Sequence, residues 1–190
     1  GRIAVCHWPN SGWQVDEGFP RFLDLPDVVS RSRDLGDSIL TAFVLVPFSS
    51  HPVTFTDLGR IRVQECDRPQ AMFAGLDATG SSPVSGSATR TLASQPVPLN
   101  FKRYVSSSDD MLRIEPSDNL SGAIIDSYND HRIAMCFAIL GLKVPGIRLK
   151  NPSCVKKTFP NFFQTLAPPA PNGLGVEIWQ VKGGKRTRQL

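Results

Sequence analysis

The sequence contains no apolar run that approaches the roughly 18 residues needed to cross a bilayer. Its four cysteines, Cys6, Cys66, Cys136 and Cys154, include no CxxC pair. We therefore expect that the thiols are free, that the protein resides in a reducing compartment, and that it has no structural zinc site. The start of the chain is too short of apolar residues to be a signal-peptide core. It also has no initiator methionine, which indicates a processed chain or a part of a larger parent. These absences predict a cytoplasmic protein with no membrane partner.

The sequence also has no recognisable nucleic-acid-binding module and no basic stripe with interleaved aromatic residues. The net charge is +4, and part of this excess lies in a basic segment at residues 182–188. The composition of that segment predicts a flexible, solvated tail, so we expect no nucleic-acid partner. A basic interaction module that binds nucleic acid through the tail is the less favoured alternative.

Apolar periodicity alternates between strand and helix along the 190 residues, which suffice for one well-buried domain. Strands are predicted at residues 53–56, 111–115, 123–126, 146–150 and 176–181. Helices are predicted at residues 38–46 (where the valines also suit a strand), from about 68 onward, at 131–141 and at 158–166. Met72, Phe73 and Leu76 are expected on the inner face of the second helix, which must begin within about one turn of Pro69. This alternation predicts an α/β or α+β domain.

Proline, glycine and serine mark the boundaries of this domain. Residues 1–28 are rich in proline, glycine and aromatic side chains and form an irregular N-terminal segment in this interpretation. The domain itself is predicted at residues 29–166, with an atypical, loop-like stretch at 77–108 that is rich in serine, threonine, glycine and proline. Residues 167–190 are predicted to hold a proline-rich linker, a last strand and the basic tail.

Polar side chains recur where the predicted helices begin. Asp37 precedes the first helix as a candidate N-cap, and Asp130-His131-Arg132 opens the central one. Helix N-termini favour anions because their free N–H groups and the helix dipole are positive. Arginine adds a forked donor suited to carboxylate or phosphate. Each cluster alone also suits an ordinary cap followed by solvated side chains; together they predict a site that holds an anion and moves protons near it.

Three motifs carry a more specific resemblance. In this order and spacing, the chain resembles the C-terminal lobe of the 5-enolpyruvylshikimate-3-phosphate (EPSP) synthase family, over about residues 29–166 with a gap in the middle. The sharpest parts are ECDR at 65–68, YNDHRIAMCF at 128–137 and KTFP at 157–160. The resemblance implies a lobe of repeated βαβ units whose helices run parallel, with their N-termini facing the substrate cleft.

The resemblance also implies a reaction. The family transfers the enolpyruvyl group of phosphoenolpyruvate to the 5-hydroxyl of shikimate 3-phosphate, by addition and then elimination of phosphate, without metal or organic cofactor. Carried over by motif, the catalytic residues would be Asp37 as the base at the shikimate hydroxyl, Glu65 as acid and base at the enolpyruvyl carbon, and His131 beside it. The substrate-binding residues would be Gln64, Arg68, Asp130, Arg132 and Lys157.

The sequence departs from the family pattern at several points. Gln64 stands where the family usually has lysine or histidine, and Pro69 where it usually has an aliphatic residue. Loss of the cation at Gln64 suggests weaker binding of glyphosate, the family's inhibitor. The N-terminal lobe that supplies the other wall of the cleft is not part of this sequence, so the partner would be that lobe or a second subunit.

Two further functions are alternatives to enolpyruvyl transfer to shikimate 3-phosphate. A catalytically silent EPSP synthase-like fragment that only binds anions is favoured by Gln64, Pro69 and the atypical 77–108 stretch. The related enolpyruvyl transferase that acts on a nucleotide sugar is less favoured, because its characteristic cysteine loop is not visible. The intact Glu65, Arg68 and Arg132 favour the first function.

Overall fold

The computed structural model describes residues 8–9, 11–80 and 110–190. Most of the stretch predicted to be loop-like at residues 77–108 therefore lies outside the described residues, as does Cys6. Where the two overlap, the prediction is wrong: Asp77 and Ala78 belong to the last turn of a helix that begins at Arg68. Thr79 closes this helix, because its N–H donates to the carbonyl oxygens of Gly75 and Leu76.

A small mixed sheet carries the first part of the described fold. Strands β1 (Val28–Ser30) and β2 (Val53–Thr56) are parallel, and β3 (Leu112–Ile114) pairs antiparallel with β2. The connection between β1 and β2 is helical throughout most of its length. It consists of a π-helical turn (Arg31–Leu35), a 3-10 turn (Gly36–Ser38), helix α1 (Ile39–Phe43) and a second 3-10 turn (Val46–Phe48).

A second βαβ unit follows. Strands β4 (Ile124–Ile125) and β5 (Arg148–Leu149) are parallel and are joined through a long helix (His131–Gly141). This helix, His131–Gly141, is α4 in chain order. The remaining α-helices are α2 (Gly59–Arg62), α3 (Arg68–Ala78) and α5 (Phe162–Leu166). Two 3-10 helices, Val15–Phe22 and Pro152–Lys157, complete the helical elements described. The mixed helix and strand order confirms the α/β class.

Two predicted helices are shorter than the apolar pattern suggests. The segment predicted as a helix over residues 38–46 is α-helical only from Ile39 to Phe43. The helix predicted over 158–166 begins at Phe162, because the N–H groups of Thr158 and Phe159 donate to the carbonyl oxygen of Val155 and end the preceding 3-10 helix. Pro160 has no N–H to donate and cannot extend a helix backward across this point.

The main core lies between the three-stranded sheet and helices α1, α3 and α4. The rings of Phe43 and Phe55 meet in this core at a tilt of 49°, with centroids 4.4 Å apart. The inner face predicted for α3 is confirmed, since Met72, Phe73 and Leu76 are buried. The predicted start of α3 is also confirmed. Pro69 lies in the first turn of the helix, where no intrahelical hydrogen bond needs its missing N–H.

The C-terminal residues form a hairpin and not the flexible tail that their composition predicts. Strand β6 (Trp179–Lys182) pairs antiparallel with β7 (Lys185–Gln189). The turn between them is Gly183-Gly184, with φ of +54° and +77°, and positive φ at both central residues is what a tight hairpin turn requires. The guanidinium of Arg186 lies 5.4 Å from the centroid of the Trp179 ring. Across the described residues no helix is both long and apolar enough to cross a membrane.

Candidate functional site

The N-termini of α3 and α4 meet at a buried ion pair. Arg68, the first residue of α3, donates through Nε to Oδ2 of Asp130 at 2.7 Å. Asp130 is the N-cap of α4, and its Oδ1 accepts from the N–H of Arg132 at 2.8 Å. Both partners are almost fully buried, with 3% exposure for Arg68 and 0% for Asp130. The predicted N-cap is therefore confirmed, and the same carboxylate also ties the two helices together.

The turn before α4 is held in an uncommon backbone conformation. Tyr128 and Asn129 have φ of +51° and +59°, a region that is unfavourable for residues other than glycine, although asparagine tolerates it best. Hydrogen bonds hold this turn: the Tyr128 N–H donates to Oδ1 of Asp126 at 2.8 Å. The Asp130 N–H donates to the carbonyl oxygen of Ser127, also at 2.8 Å. These contacts direct the start of α4 toward α3.

Asp37 is held by three arginines and does not cap α1. Its Oδ1 accepts from Nη2 and Nε of Arg31 at 2.7 and 3.1 Å. Its Oδ2 lies 3.4 Å from Nη1 of Arg68 and 3.7 Å from Nη2 of Arg132. The N-cap prediction is wrong because a 3-10 turn, Gly36–Ser38, precedes α1, and Ser38 occupies the cap position. Burial opposes ionisation of Asp37, but the Arg31 hydrogen bonds and the charges of Arg132, Arg31 and Arg68 outweigh it and lower its pKa.

Glu65 lies between a lysine and a histidine. Its Oε1 accepts a hydrogen bond from Nζ of Lys157, and its Oε2 lies 3.3 Å from Nδ1 of His131. The Lys157 hydrogen bond is the main reason that the pKa of Glu65 lies below its ordinary value. Nδ1 of His131 is buried and makes no hydrogen bond with the residues that the structure describes. Its neighbouring charged group is therefore the Glu65 carboxylate, at ion-pair distance.

A cavity of about 460 Å³ opens where these groups meet. It is lined by six of the eight predicted site residues together with Thr158: Asp37, Gln64, Glu65, Arg68, His131, Arg132 and Thr158. Asp130 lies behind Arg68, and Lys157 lies beside the cavity through its contact with Glu65. Gln64 is uncharged and so adds no cation to the cavity. Its Oε1 accepts a hydrogen bond from Nη1 of Arg68. The structure thus brings all eight predicted residues together.

Two residues at the site were not singled out from the sequence. Arg31 contacts Asp37 from six positions earlier, across a π-helical turn that leaves no helical or strand periodicity to detect. Thr158 lines the cavity and lies in the KTFP motif, so its place in that motif was the available signal.

Glu65, Asp130 and His131 also lie close enough for a metal ion, with ligand atoms within 4.8 Å of one another. Their other contacts do not suit a cation. Both oxygens of Asp130 already accept hydrogen bonds, one from the charged Arg68, and Glu65 is paired with the Lys157 ammonium. The surrounding arginines and lysine make this cavity better suited to an anion.

Cys66 lies against the same buried carboxylate. Its Sγ is 3.6 Å from Oδ2 of Asp130, and burial, together with the Asp130 charge and hydrogen bond, raises the pKa of the thiol to about 12. The thiol therefore stays protonated at neutral pH and is a poor nucleophile. Its place in the ECDR motif is explained by packing and by this contact with Asp130.

The chain is similar to proteins of one family. The family model for EPSP synthase (3-phosphoshikimate 1-carboxyvinyltransferase) matches residues 27–166. The 3-phosphoshikimate 1-carboxyvinyltransferase of Pseudomonas savastanoi pv. phaseolicola is 37% identical over 169 residues, which cover 87% of this chain and 33% of the relative. That of Nostoc punctiforme is 38% identical over 131 residues, 69% of this chain and 25% of the relative. The chain thus spans about a third or less of the length of these curated relatives.

A solved structure agrees with these sequence matches. The EPSP synthase from Acinetobacter baumannii superimposes with a TM-score of 0.51 at 26% identity, covering 67% of this chain and 26% of that one. The likeness again concerns a portion of the longer protein.

The Arg68–Asp130 pair gives a direct stability prediction. Asp130→Asn keeps an N-cap side chain, since asparagine caps as well as aspartate, but leaves the buried Arg68 guanidinium without its counter-charge. We expect this change to lower the free energy of unfolding by about 3–5 kcal/mol, measured by urea denaturation at neutral pH.

Asp67→Asn is the matched control, because Asp67 is the N-cap of α3 and pairs with Arg62. That aspartate is 36% exposed at its side chain, so its loss of charge should cost about 1 kcal/mol or less. Equal losses in the two variants would contradict the role given to the buried pair.

Proposed function

We propose a function from the premise that the chain belongs to the EPSP synthase family: its cavity binds phosphoenolpyruvate and takes part in transfer of the enolpyruvyl group to the 5-hydroxyl of shikimate 3-phosphate. The single observation that supports this most is the convergence of Glu65, His131, Arg68 and Arg132 on one cavity. These groups come from separate segments of the chain, and each is of a type that the reaction requires.

Anion binding is the first requirement, because phosphoenolpyruvate carries a phosphate and a carboxylate. Arg68 and Arg132 offer forked donors at the cavity, and Lys157 offers a third cation beside it. The start of α4, an 11-residue helix, adds its N-terminal dipole. Each of these cations is already paired with a carboxylate of the chain. An incoming anion must therefore displace Asp37 from Arg132 and Glu65 from Lys157.

Proton transfer is the second requirement. Addition needs a base that takes the hydroxyl proton and an acid that protonates the methylene carbon; elimination of phosphate then reverses the transfer at that carbon. Asp37 is proposed as the base, and Glu65 with His131 as the acid and base at the enolpyruvyl carbon. The low pKa of Asp37 makes it a weak base while Arg68 and Arg132 surround it. Substrate anions that draw these arginines away would raise the pKa of Asp37 and so increase its basicity.

A second wall of the cleft is the third requirement. The chain spans about a third of the length of relatives that carry the complete enzyme's name. We propose that the other wall is supplied by the N-terminal lobe or by a second subunit. An EPSP synthase-like fragment that only binds anions stays the alternative. It is favoured by Gln64, an uncharged side chain where the family pattern has a cation, whose Oε1 accepts a hydrogen bond from Arg68.

Phosphate release from phosphoenolpyruvate tests the proposal. With the N-terminal lobe of a full-length relative added to the purified protein, we expect release to depend on shikimate 3-phosphate, and to fall by roughly a hundredfold or more in Glu65→Gln, since general acid–base groups contribute about 10²–10⁴-fold. Arg132→Ala should be similarly impaired, chiefly through weaker binding of phosphoenolpyruvate.

Glu115→Gln and Arg60→Ala are matched controls with the same chemical changes away from the cavity, and both should keep the wild-type rate. No release by folded wild-type protein with that lobe present, combined with measurable phosphoenolpyruvate binding, would favour the anion-binding fragment. Release that survives Glu65→Gln would contradict the catalytic role of Glu65.

Gln64 gives a separate prediction about inhibition. A lysine at this position would add a cation beside Arg68 in place of a hydrogen-bond acceptor, so Gln64→Lys should bind glyphosate more tightly by roughly tenfold, the value of one charge-assisted hydrogen bond. The measurement is the dissociation constant of glyphosate by titration calorimetry. Gln70→Lys adds the same charge to α3 outside the cavity-lining set and should leave binding unchanged. Comparable affinity in wild type and Gln64→Lys would count against this explanation.

A further inference from the structure

Arg31 lies outside the set of residues that line the cavity, yet it holds the carboxylate that faces the cavity. Its Nη2 and Nε both donate to Oδ1 of Asp37, at 2.7 and 3.1 Å. That oxygen is therefore engaged by one guanidinium, while Oδ2 is the oxygen on the side of Arg68 and Arg132. The Arg31 side chain is 15% exposed, so the contact is shielded from most of the solvent and is worth more than a surface ion pair.

The backbone between these two residues is built to keep them opposite each other. Arg31 begins the π-helical turn that follows β1, and the Gly36 N–H closes that turn onto the Arg31 carbonyl oxygen. Ser30 stabilises the start of the turn, because its N–H donates to Oδ2 of Asp34 at 2.7 Å and its Oγ accepts from the Arg33 N–H at 3.2 Å. Gly36 has φ of +54° and ψ of −140°, a combination that favours glycine. The main-chain geometry of this turn thus places the side chain of Asp37 within hydrogen-bonding distance of Arg31.

The consequence concerns the two arginines inside the cavity. At 3.4 and 3.7 Å, Arg68 and Arg132 approach Oδ2 of Asp37 without a short, forked contact. If Arg31 did not engage Oδ1, the carboxylate could rotate and take both oxygens to these guanidinium groups. Such bidentate pairs are the strong ones, and they would neutralise the cations that an incoming anion must use.

We propose that Arg31 is a positioning residue of the anion site: it holds Oδ1 of Asp37 and so prevents that carboxylate from pairing fully with Arg68 and Arg132. This inference rests on the proposed function, in which the cavity takes phosphoenolpyruvate. Arg31 acts through Asp37 and does not itself contact the anion. Its removal should weaken anion binding only while Asp37 is ionised.

A double-mutant cycle tests this, with phosphoenolpyruvate affinity measured by titration calorimetry at neutral pH. We expect Arg31→Ala to raise the dissociation constant roughly tenfold, the value of one charge-assisted contact. In an Asp37→Asn background the same change should have no more effect than Arg33→Ala, which removes an equal charge from an exposed position in the same turn. Arg31→Lys, which keeps the charge without the fork, should fall between wild type and Arg31→Ala.

Two results would overturn the inference. Equal weakening by Arg31→Ala and Arg33→Ala would mean that only the overall positive field matters. Equal weakening by Arg31→Ala in the wild-type and Asp37→Asn backgrounds, compared in protein whose circular dichroism matches wild type, would mean that Arg31 contacts the anion directly. Should Arg31→Ala fail to fold, Arg31→Lys supplies the same comparison.

A readout that needs no ligand separates this inference from the proposed function. If wild type binds no phosphoenolpyruvate, the proposed function fails, and the Asp37 carboxyl titration by carbon-detected NMR still decides the role of Arg31. Among the described residues, the charged groups paired with Asp37 are Arg31, Arg68 and Arg132. In Arg31→Ala the freed carboxylate should pair with both Arg68 and Arg132, so the pKa of Asp37 should stay below its ordinary value, and Arg33→Ala should leave it in place. A pKa of Asp37 that returns to its ordinary value in Arg31→Ala would mean that the carboxylate does not pair further with the cavity arginines, and would overturn the inference.

Discussion

The buried contact between Arg68 and Asp130 is the interaction on which the rest of the site depends. Removing two charges from water costs several kcal/mol per ion, and their mutual attraction repays this only when the remaining donors and acceptors are satisfied. They are satisfied here: Asp130 also accepts from the Arg132 N–H, and Arg68 also donates to Gln64 and approaches Asp37. The pair therefore fixes the relative position of two helix N-termini more than it adds net stability.

Helix packing supports the same geometry from the other side. Gly75 of α3 lies against the ring of Phe137 of α4 so closely that a Cβ at Gly75 would be 2.1 Å from Cζ of Phe137. The two helices are thus tied at their N-termini by charge and farther along by a close apolar approach. Because cores are packed to high density, neither helix can shift without losing one of these contacts. These two contacts therefore fix the separation of the helix N-termini that border the cavity.

Much of the site was predictable because its residues belong to local patterns. Asp130 caps α4 as its sequence neighbours indicate, and the three motifs named from the sequence meet at one cavity. The cap prediction for Asp37 is wrong because capping is a local rule, whereas two of its three partners, Arg68 and Arg132, are far away in sequence. Arg31 was missed for a related reason, since a π-helical turn has no periodic signature. The basic composition of residues 182–188 predicts a flexible tail, whereas the Gly183-Gly184 turn, with positive φ at both residues, favours the hairpin that forms.

The proposed anion site requires that a bound anion displace the chain's own carboxylates from Arg68, Arg132 and Lys157. Those carboxylates, Asp37 and Glu65, have pKa values below their ordinary range while the cations hold them. Displacement and a nearby anion should raise both pKa values, so near pH 5 these two carboxyl groups should take up protons when the anion binds. The most direct measurement is therefore calorimetric titration of phosphoenolpyruvate at pH 5 in two buffers that differ in ionisation enthalpy. The phosphate of the ligand, whose second pKa is about 6, also exchanges protons on binding, so the test is a comparison: we expect wild type to take up more protons than the Asp37→Asn, Glu65→Gln double variant. Equal proton exchange in the two proteins would contradict displacement.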